Sequence, residues 1–269
     1  MKFVINFFLI LIFVPLFLAT TLSWSIKYQI LDFSFWQNNL NSNGVYSNLA
    51  QSVNKVSQLK LAGGTKDDGS MKVFAKLATP ENLKDLIENN LKNFLKFANG
   101  QSNEWLVYVP VSKLPKSLTK FNGIKLVENT SIQNLAKDFK IQGFQEKQIQ
   151  NISKSGKNAT AAFVYGATFL FILLLMSLLL VESGSRFIST GLMVTLSGVL
   201  LYIVSGFFKA IQGSMINDWP NSKEPIQILL SPIAPHLISA IAKSWVNISV
   251  TVIILGILFM FLKKPQIKV

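Results

Sequence analysis

The chain has 269 residues, half of them apolar, only 14% charged, with no cysteine, one histidine and a formal net charge of +13. Ordinary soluble domains carry roughly a quarter charged residues, so the composition excludes a typical soluble core. The missing cysteines exclude disulfide scaffolds and His/Cys zinc sites, and a lone histidine leaves little room for a Ser-His-Asp triad.

Residues 1–25, MKFVINFFLILIFVPLFLATTLSWS, combine a basic start with an apolar run over 3–24. The run exceeds the 7–15 residues of a secretory core, and LATTLSWS offers no A-x-A cleavage site. Trp24 falls where an interfacial aromatic belongs. The segment reads as a retained signal anchor and first transmembrane helix, kinked at Pro15; a cleaved signal peptide is the alternative.

Residues 26–158 read as one extracytoplasmic, mostly helical domain with at most a short β element. Trp36 and Leu40, then Leu49, Val53 and Val56, recur at helical spacing, with a break at Asn43 and Gly44. AGGTKDDGS at 62–70 is a loop. TPENLKDLIENNLKNFLKFANG predicts the clearest helix. Thr79 caps it, Pro80 opens it, Gly100 ends it, and Leu83, Leu86, Ile87, Leu91, Phe94 and Leu95 form its apolar stripe. EWLVYVPVS at 104–112 predicts an edge strand because of Pro110. Ile132, Leu135, Ala136 and Phe139 mark a further helix, and FQEKQIQNISK continues helically toward the second span. With 18 Lys against 10 Asp plus Glu, the domain carries a net +8. Such an excess suits anionic lipid headgroups or anionic wall polymers. Without arginine, a basic block or a known motif, nucleic acid is not an expected partner.

Residues 159–181, 187–208 and 244–262 carry no charge. At about 20 residues each they have the length a bilayer requires, giving a four-helix transmembrane bundle with the first span. Residues 159–269 thus form a three-span membrane domain with an outer loop and helix at 209–244. In the third span Gly191, Gly198 and Ser205 recur every seven residues, with Thr195 and Tyr202 between them, a helix-packing face for this bundle or a second copy. Ser231 and Pro232 predict the start of a helix continuous to Leu262, about 31 residues or 46 Å long. That exceeds the hydrocarbon core of about 30 Å, so Ile233, Leu237 and Ile241 are expected to dock on the outer domain. The alternative is an interfacial helix over 226–244 with Lys243 and His236 toward water.

Lys2, Arg186, Lys263, Lys264 and Lys268 flank the spans in short segments on one side of a four-span chain. The positive-inside rule makes that side, with both termini, cytoplasmic. No ionisable residue occupies a span centre, which argues against a transport path; a passive pore lined by Ser, Thr and Gly is the alternative. AGGTKDDGS lacks Walker spacing, and Asp67 and Asp68 lack the EF-hand pattern. The sequons at Asn129, Asn151 and Asn158 matter only in a glycosylating host. No catalytic, cofactor-binding or metal-binding residue is assigned, and no cofactor is expected.

FWQNNLNSNGVYSNL, then ATPENLKDLIENNLKNFLKFANG, then WLVYVPVSKLP resemble a group of uncharacterised prokaryotic four-span membrane proteins with an extracytoplasmic helical domain between spans one and two. The resemblance implies that architecture and transfers no catalytic residue. The expected function is therefore a non-enzymatic integral protein of the cell membrane, its outer domain binding or scaffolding an envelope component. The alternative is an accessory subunit of a membrane transporter, channel or secretion complex. Expected partners are the lipid bilayer and another membrane protein or a second copy. A sensor would need a cytoplasmic output module, and KKPQIKV is not one.

Overall fold

The computed structural model describes residues 2–42, 44–62, 78–114, 120–121, 124–125, 127–138, 146–180, 186–222 and 224–262. Asn43, most of the 62–70 loop with Asp67 and Asp68, Phe139, Glu182, Ser185 and the lysines at 263, 264 and 268 lie outside the described residues.

The chain is mainly α. In order it forms α1 (Lys2–Ser25), a π-helical turn (Ile26–Ile30), α2 (Phe33–Asn41), α3 (Val45–Ala62), α4 (Pro80–Ala98), β1 (Leu106–Tyr108), β2 (Lys120–Phe121), β3 (Ile124–Lys125), β4 (Asn129–Ser131), α5 (Ile132–Asp138), α6 (Glu146–Leu180), α7 (Arg186–Ile211), a second π turn (Gln212–Ile216), α8 (Pro225–Leu230) and α9 (Ala234–Phe261). Among the described residues four helices are long and apolar enough to cross a membrane: Val4–Ile30, Ile149–Leu180, Phe187–Ile211 and Ala234–Phe261. The chain is thus built as a multi-pass membrane protein. It divides into a membrane unit (Met1–Lys27, Ala159–Gly213, Ile238–Val269) and a second, helical unit (Tyr28–Asn158, Ser214–Leu237).

In the membrane unit, Leu9 and Phe13 of α1, Leu173 of α6, and Met193 and Val194 of α7 make one apolar cluster. Ser177 and Thr190, both fully buried, share a hydrogen bond at 2.5 Å between α6 and α7. Trp245 Nε1 donates to Ser25 Oγ at 2.5 Å, and the Phe208 ring meets Trp245 edge-on at 5.0 Å. These contacts make α1 and α7 parallel, with α6 and α9 running against them. Pro15 lies inside α1, as its sequence implied.

The second unit is built on α4. Thr79 Oγ1 accepts from the Asn82 N–H at 3.2 Å, Pro80 occupies the first turn, and Gly100 ends the segment with φ +70°. Leu83 packs with Leu49, Ala50 and Val53 of α3 and with Ala78; Ile87 and Leu91 cover Leu40, Val45 and Tyr46. The predicted strand is only three residues long. Leu106–Tyr108 pairs antiparallel with Asn129–Ser131, and Pro110 closes it by leading into a 3-10 turn at Val111–Lys113. Asn90 holds β1 to α4, its amide bonding both the Tyr108 carbonyl (2.8 Å) and the Tyr108 N–H (2.9 Å). A second antiparallel pair joins β2 and β3. The break between α2 and α3 falls at Gly44, φ +66°.

The start of the fourth long helix differs from the prediction. Ser231 caps the C-terminus of α8 instead, its hydroxyl donating to the Ile228 carbonyl at 2.8 Å. Glu224 and Pro225 open that short helix, Pro225–Leu230, ahead of the start that Ser231 and Pro232 predict. With Pro232 in the intervening turn, α9 begins at Ala234 and has 28 residues, about 42 Å. Pro235 falls in its first turn, where no helical N–H is needed.

Candidate functional site

Residues three, four and seven apart share one helix face, so Glu81, Lys84, Asp85, Glu88 and Lys92 form a charged stripe along α4. With Phe33 and Gln37 of α2 and Asn89, they line an open groove of about 420 Å³. Two carboxylates organise it. Glu88 accepts from Gln37 Nε2 (3.2 Å), Asn41 Nδ2 (3.3 Å) and the Tyr46 hydroxyl (3.1 Å), with Lys84 Nζ at 4.0 Å. Asp85 accepts from Lys113 Nζ (2.8 Å), Asn89 Nδ2 (2.8 Å) and the Tyr108 hydroxyl (3.3 Å).

The electrostatics follow from these partners. The Lys113 hydrogen bond holds the Asp85 carboxyl below its ordinary value, and the same bond raises Lys113. Burial, then the Glu88 charge and the hydrogen bond to it, push the Tyr46 phenol well up. Burial and Asp85 do the same to Tyr108. Both phenols thus stay neutral donors, and the Asp85 carboxylate stays an acceptor. Such a fixed array of donors and acceptors can recognise a polar ligand. It pairs no activated nucleophile with a base. Among the described residues no group of three His, Cys, Asp or Glu is placed to hold a metal ion.

Of the packing residues named from sequence, Gly191, Thr195 and Gly198 fall between α7 and α9. A Cβ built on Gly191 would lie 2.5 Å from the Gly256 carbonyl oxygen and 2.9 Å from the Met260 nitrogen; one on Gly198 would lie 2.9 Å from the Ser249 oxygen. Thr195 abuts Gly256, and its buried Oγ1 has no hydrogen-bond partner. Ser205 is buried with its hydroxyl on the Tyr202 carbonyl at 2.7 Å, whereas the Tyr202 side chain is 53% exposed. The opposing face was missed. Ala242, Ser249 and Gly256 also recur every seven residues and are all buried. That spacing was available as a signal, but each residue stands singly among large apolar neighbours.

Of the three expected docking residues, Ile233 packs in the second unit against two apolar clusters. Leu237, half-buried, belongs to that unit; Ile241, also half-buried, belongs to the membrane unit. The polar face of α4 was also missed, because its apolar stripe alone was read as informative.

Comparison with protein-family models, curated proteins and solved structures finds no match to this chain.

Proposed function

We propose that this chain is a non-enzymatic integral membrane protein whose helical unit, exposed outside the cytoplasm, binds or scaffolds a polar component of the cell envelope. The observation that carries this reading is the α4 groove, where Gln37, Lys84, Asp85, Glu88, Asn89 and Lys92 converge on one open surface. A rigid, hydrogen-bonded array lowers the ordering cost of binding. The outward orientation rests on Lys2, Arg186 and Lys263, which flank the spans on one side.

A photo-crosslinking side chain at Asn89 tests the reading in native membranes, against one at Leu179. Leu179 belongs to a face of α6 that also carries Tyr165 and Phe169, each at least 60% exposed, and Ile172. That face favours the second reading, an accessory subunit of a larger membrane complex. Adducts from Asn89 support envelope binding; protein adducts from Leu179 alone support the subunit and reject the groove.

Orientation is checked separately, because the natural chain has no cysteine. In intact cells Gln101→Cys reacts with a membrane-impermeant thiol reagent, and Ser185→Cys reacts only after permeabilisation. The reverse pattern inverts the topology.

A further inference from the structure

The groove along α4 is balanced in charge. Glu81, Asp85 and Glu88 bring three carboxylates to it. Lys84 and Lys92 line it with them, and Lys113 reaches Asp85 from the 3-10 turn at 2.8 Å. Three negative groups thus meet three positive ones. The two signs are also interspersed, because steps of three and four residues keep Glu81, Lys84, Asp85, Glu88 and Lys92 on one helix face. A strongly anionic or cationic ligand meets a like charge beside every opposite one, and no net field draws it in. In this the groove differs from the domain around it, with its excess of lysine.

Hydrogen-bonding capacity is mixed in the same way. A carboxylate has about four lone-pair positions. Among the described residues Glu88 fills three, with Gln37, Asn41 and Tyr46, and Asp85 fills three, with Lys113, Asn89 and Tyr108. Each keeps one acceptor position. The Gln37 amide has a second N–H beyond the one it gives Glu88, and Lys84 and Lys92 are exposed ammonium donors. A ligand group suited to this array donates and accepts at one atom. A hydroxyl does both, whereas a carboxylate only accepts and an ammonium only donates.

Phe33 is the single apolar residue of the lining among the described residues. It opens α2, where the Asp32 carboxylate accepts the Ser34 N–H at 3.0 Å and fixes the first turn. Gln37 follows one turn later on the same face. One half-buried ring makes an apolar platform without an apolar pocket. Affinity between proteins concentrates in aromatic or aliphatic anchors buried in desolvated pockets, and this polar floor provides none. A sugar ring has hydroxyls at its rim and a face of C–H groups that can cover an aromatic ring. From Glu81 to Lys92 the groove follows α4 for about 16 Å at 1.5 Å per residue, an elongated shape that suits linked rings.

We propose that the α4 groove binds a neutral polysaccharide, with sugar hydroxyls on Asp85, Glu88, Gln37 and Lys84 and the C–H face of one ring on Phe33. This rests on the reading of the groove as an envelope-binding surface and names its ligand class.

Saturation-transfer NMR tests it on the full chain in lipid nanodiscs, which avoid sugar-headed detergents. The probes are uncharged tetrasaccharides of glucose, mannose, galactose and N-acetylglucosamine, with polyglycerol phosphate as the anionic comparison. At least one tetrasaccharide should receive magnetisation, most strongly at its ring C–H protons, and empty nanodiscs should give none. Its affinity should hold between low and high salt, because no net charge is screened. Phe33→Ala should weaken that affinity about tenfold. If Phe33→Ala fails to fold, Gln37→Ala decides, and unchanged binding in that variant rejects the site. Binding of polyglycerol phosphate alone, or no transfer to any tetrasaccharide, overturns the proposal. If the photo-crosslinker at Asn89 still forms adducts after such a failure, the groove stands as a binding surface and only the sugar is rejected. Failure of both experiments rejects the groove reading as well.

Discussion

Gly256→Leu should prevent the membrane unit from assembling, and Gly256→Ala should lower the melting temperature of the full chain in detergent by about 5 °C. A Cβ at Gly256 would lie 2.6 Å from the Thr195 nitrogen and 2.8 Å from the Gly191 oxygen. Both obstacles are backbone, so no side-chain rotation relieves them. Separating the helices also loses the contacts of Gly191 and Gly198, since all three sit on the same pair of faces. Overpacking of this kind costs about 2 kcal/mol for one methyl group, and about 2–4 °C follows per kcal/mol in a chain of this size. Small residues drive helix association in lipid through close backbone approach, so the leucine, with four heavy atoms to place, exceeds what relaxation can absorb. Gly206 is the control: a Cβ there meets nothing within 4 Å, and Gly206→Ala should melt like wild type. Equal melting temperatures for Gly256→Ala and Gly206→Ala would show that α7 and α9 do not meet at these residues.

The second large effect is expected at Ile233→Asp. Ile233 lies in the turn between α8 and α9 and packs against the cluster of Leu49, Ala50, Val53, Ala78 and Leu83 and the cluster of Leu40, Val45 and Tyr46. Ile233 is half-buried, so a carboxylate there is partly desolvated, and it gains no cation from either cluster. Burying part of an unpaired charge costs about 2–3 kcal/mol. When opening is faster than cleavage, proteolysis reports the open population. Limited proteolysis within 28–158 should therefore accelerate by about a hundredfold. Ile226→Asp, at a side chain already 66% exposed, should change the rate little. Identical cleavage of the two variants would mean that residues 225–233 are not part of this unit's core. It would leave the interfacial helix as the better account of the segment.

The four long helices were legible because a charge-free run of five turns has few alternatives, and α4 because its cap, opening proline and terminal glycine all agree. The π turns after α1 and α7 were not legible: IKYQI and QGSMI carry no residue that distinguishes a π from an α turn. The start of α9 was misplaced for a specific reason. Ser-Pro is a good helix opening in isolation, but here Ser231 already serves the end of α8, and only tertiary packing of Ile228 and Ile233 decides between the two roles. One half of the α7–α9 seam was visible in the third span. The other half was hidden because a lone glycine in VIILGILFMF reads as noise until its partner is known. In the groove, single Asp, Glu, Gln and Tyr residues far apart in sequence become a network only through the packing of α2 and α3 on α4.

The near absence of carboxylates from the membrane unit also separates the two parts of the chain in their response to acid. Aspartate, glutamate and histidine are the side chains that take up protons as pH falls from neutral, and His236 lies in the second unit. Apart from Glu182, the membrane unit has nothing to protonate, so its stability is nearly flat on the acid side. The second unit holds Asp85, whose folded value lies below its unfolded one. The stability from that group is present above the ordinary carboxylate range and disappears as pH drops through the folded value. Acidification thus weakens the bonds that Asp85 accepts from Lys113, Asn89 and Tyr108, while the spans have almost nothing to protonate.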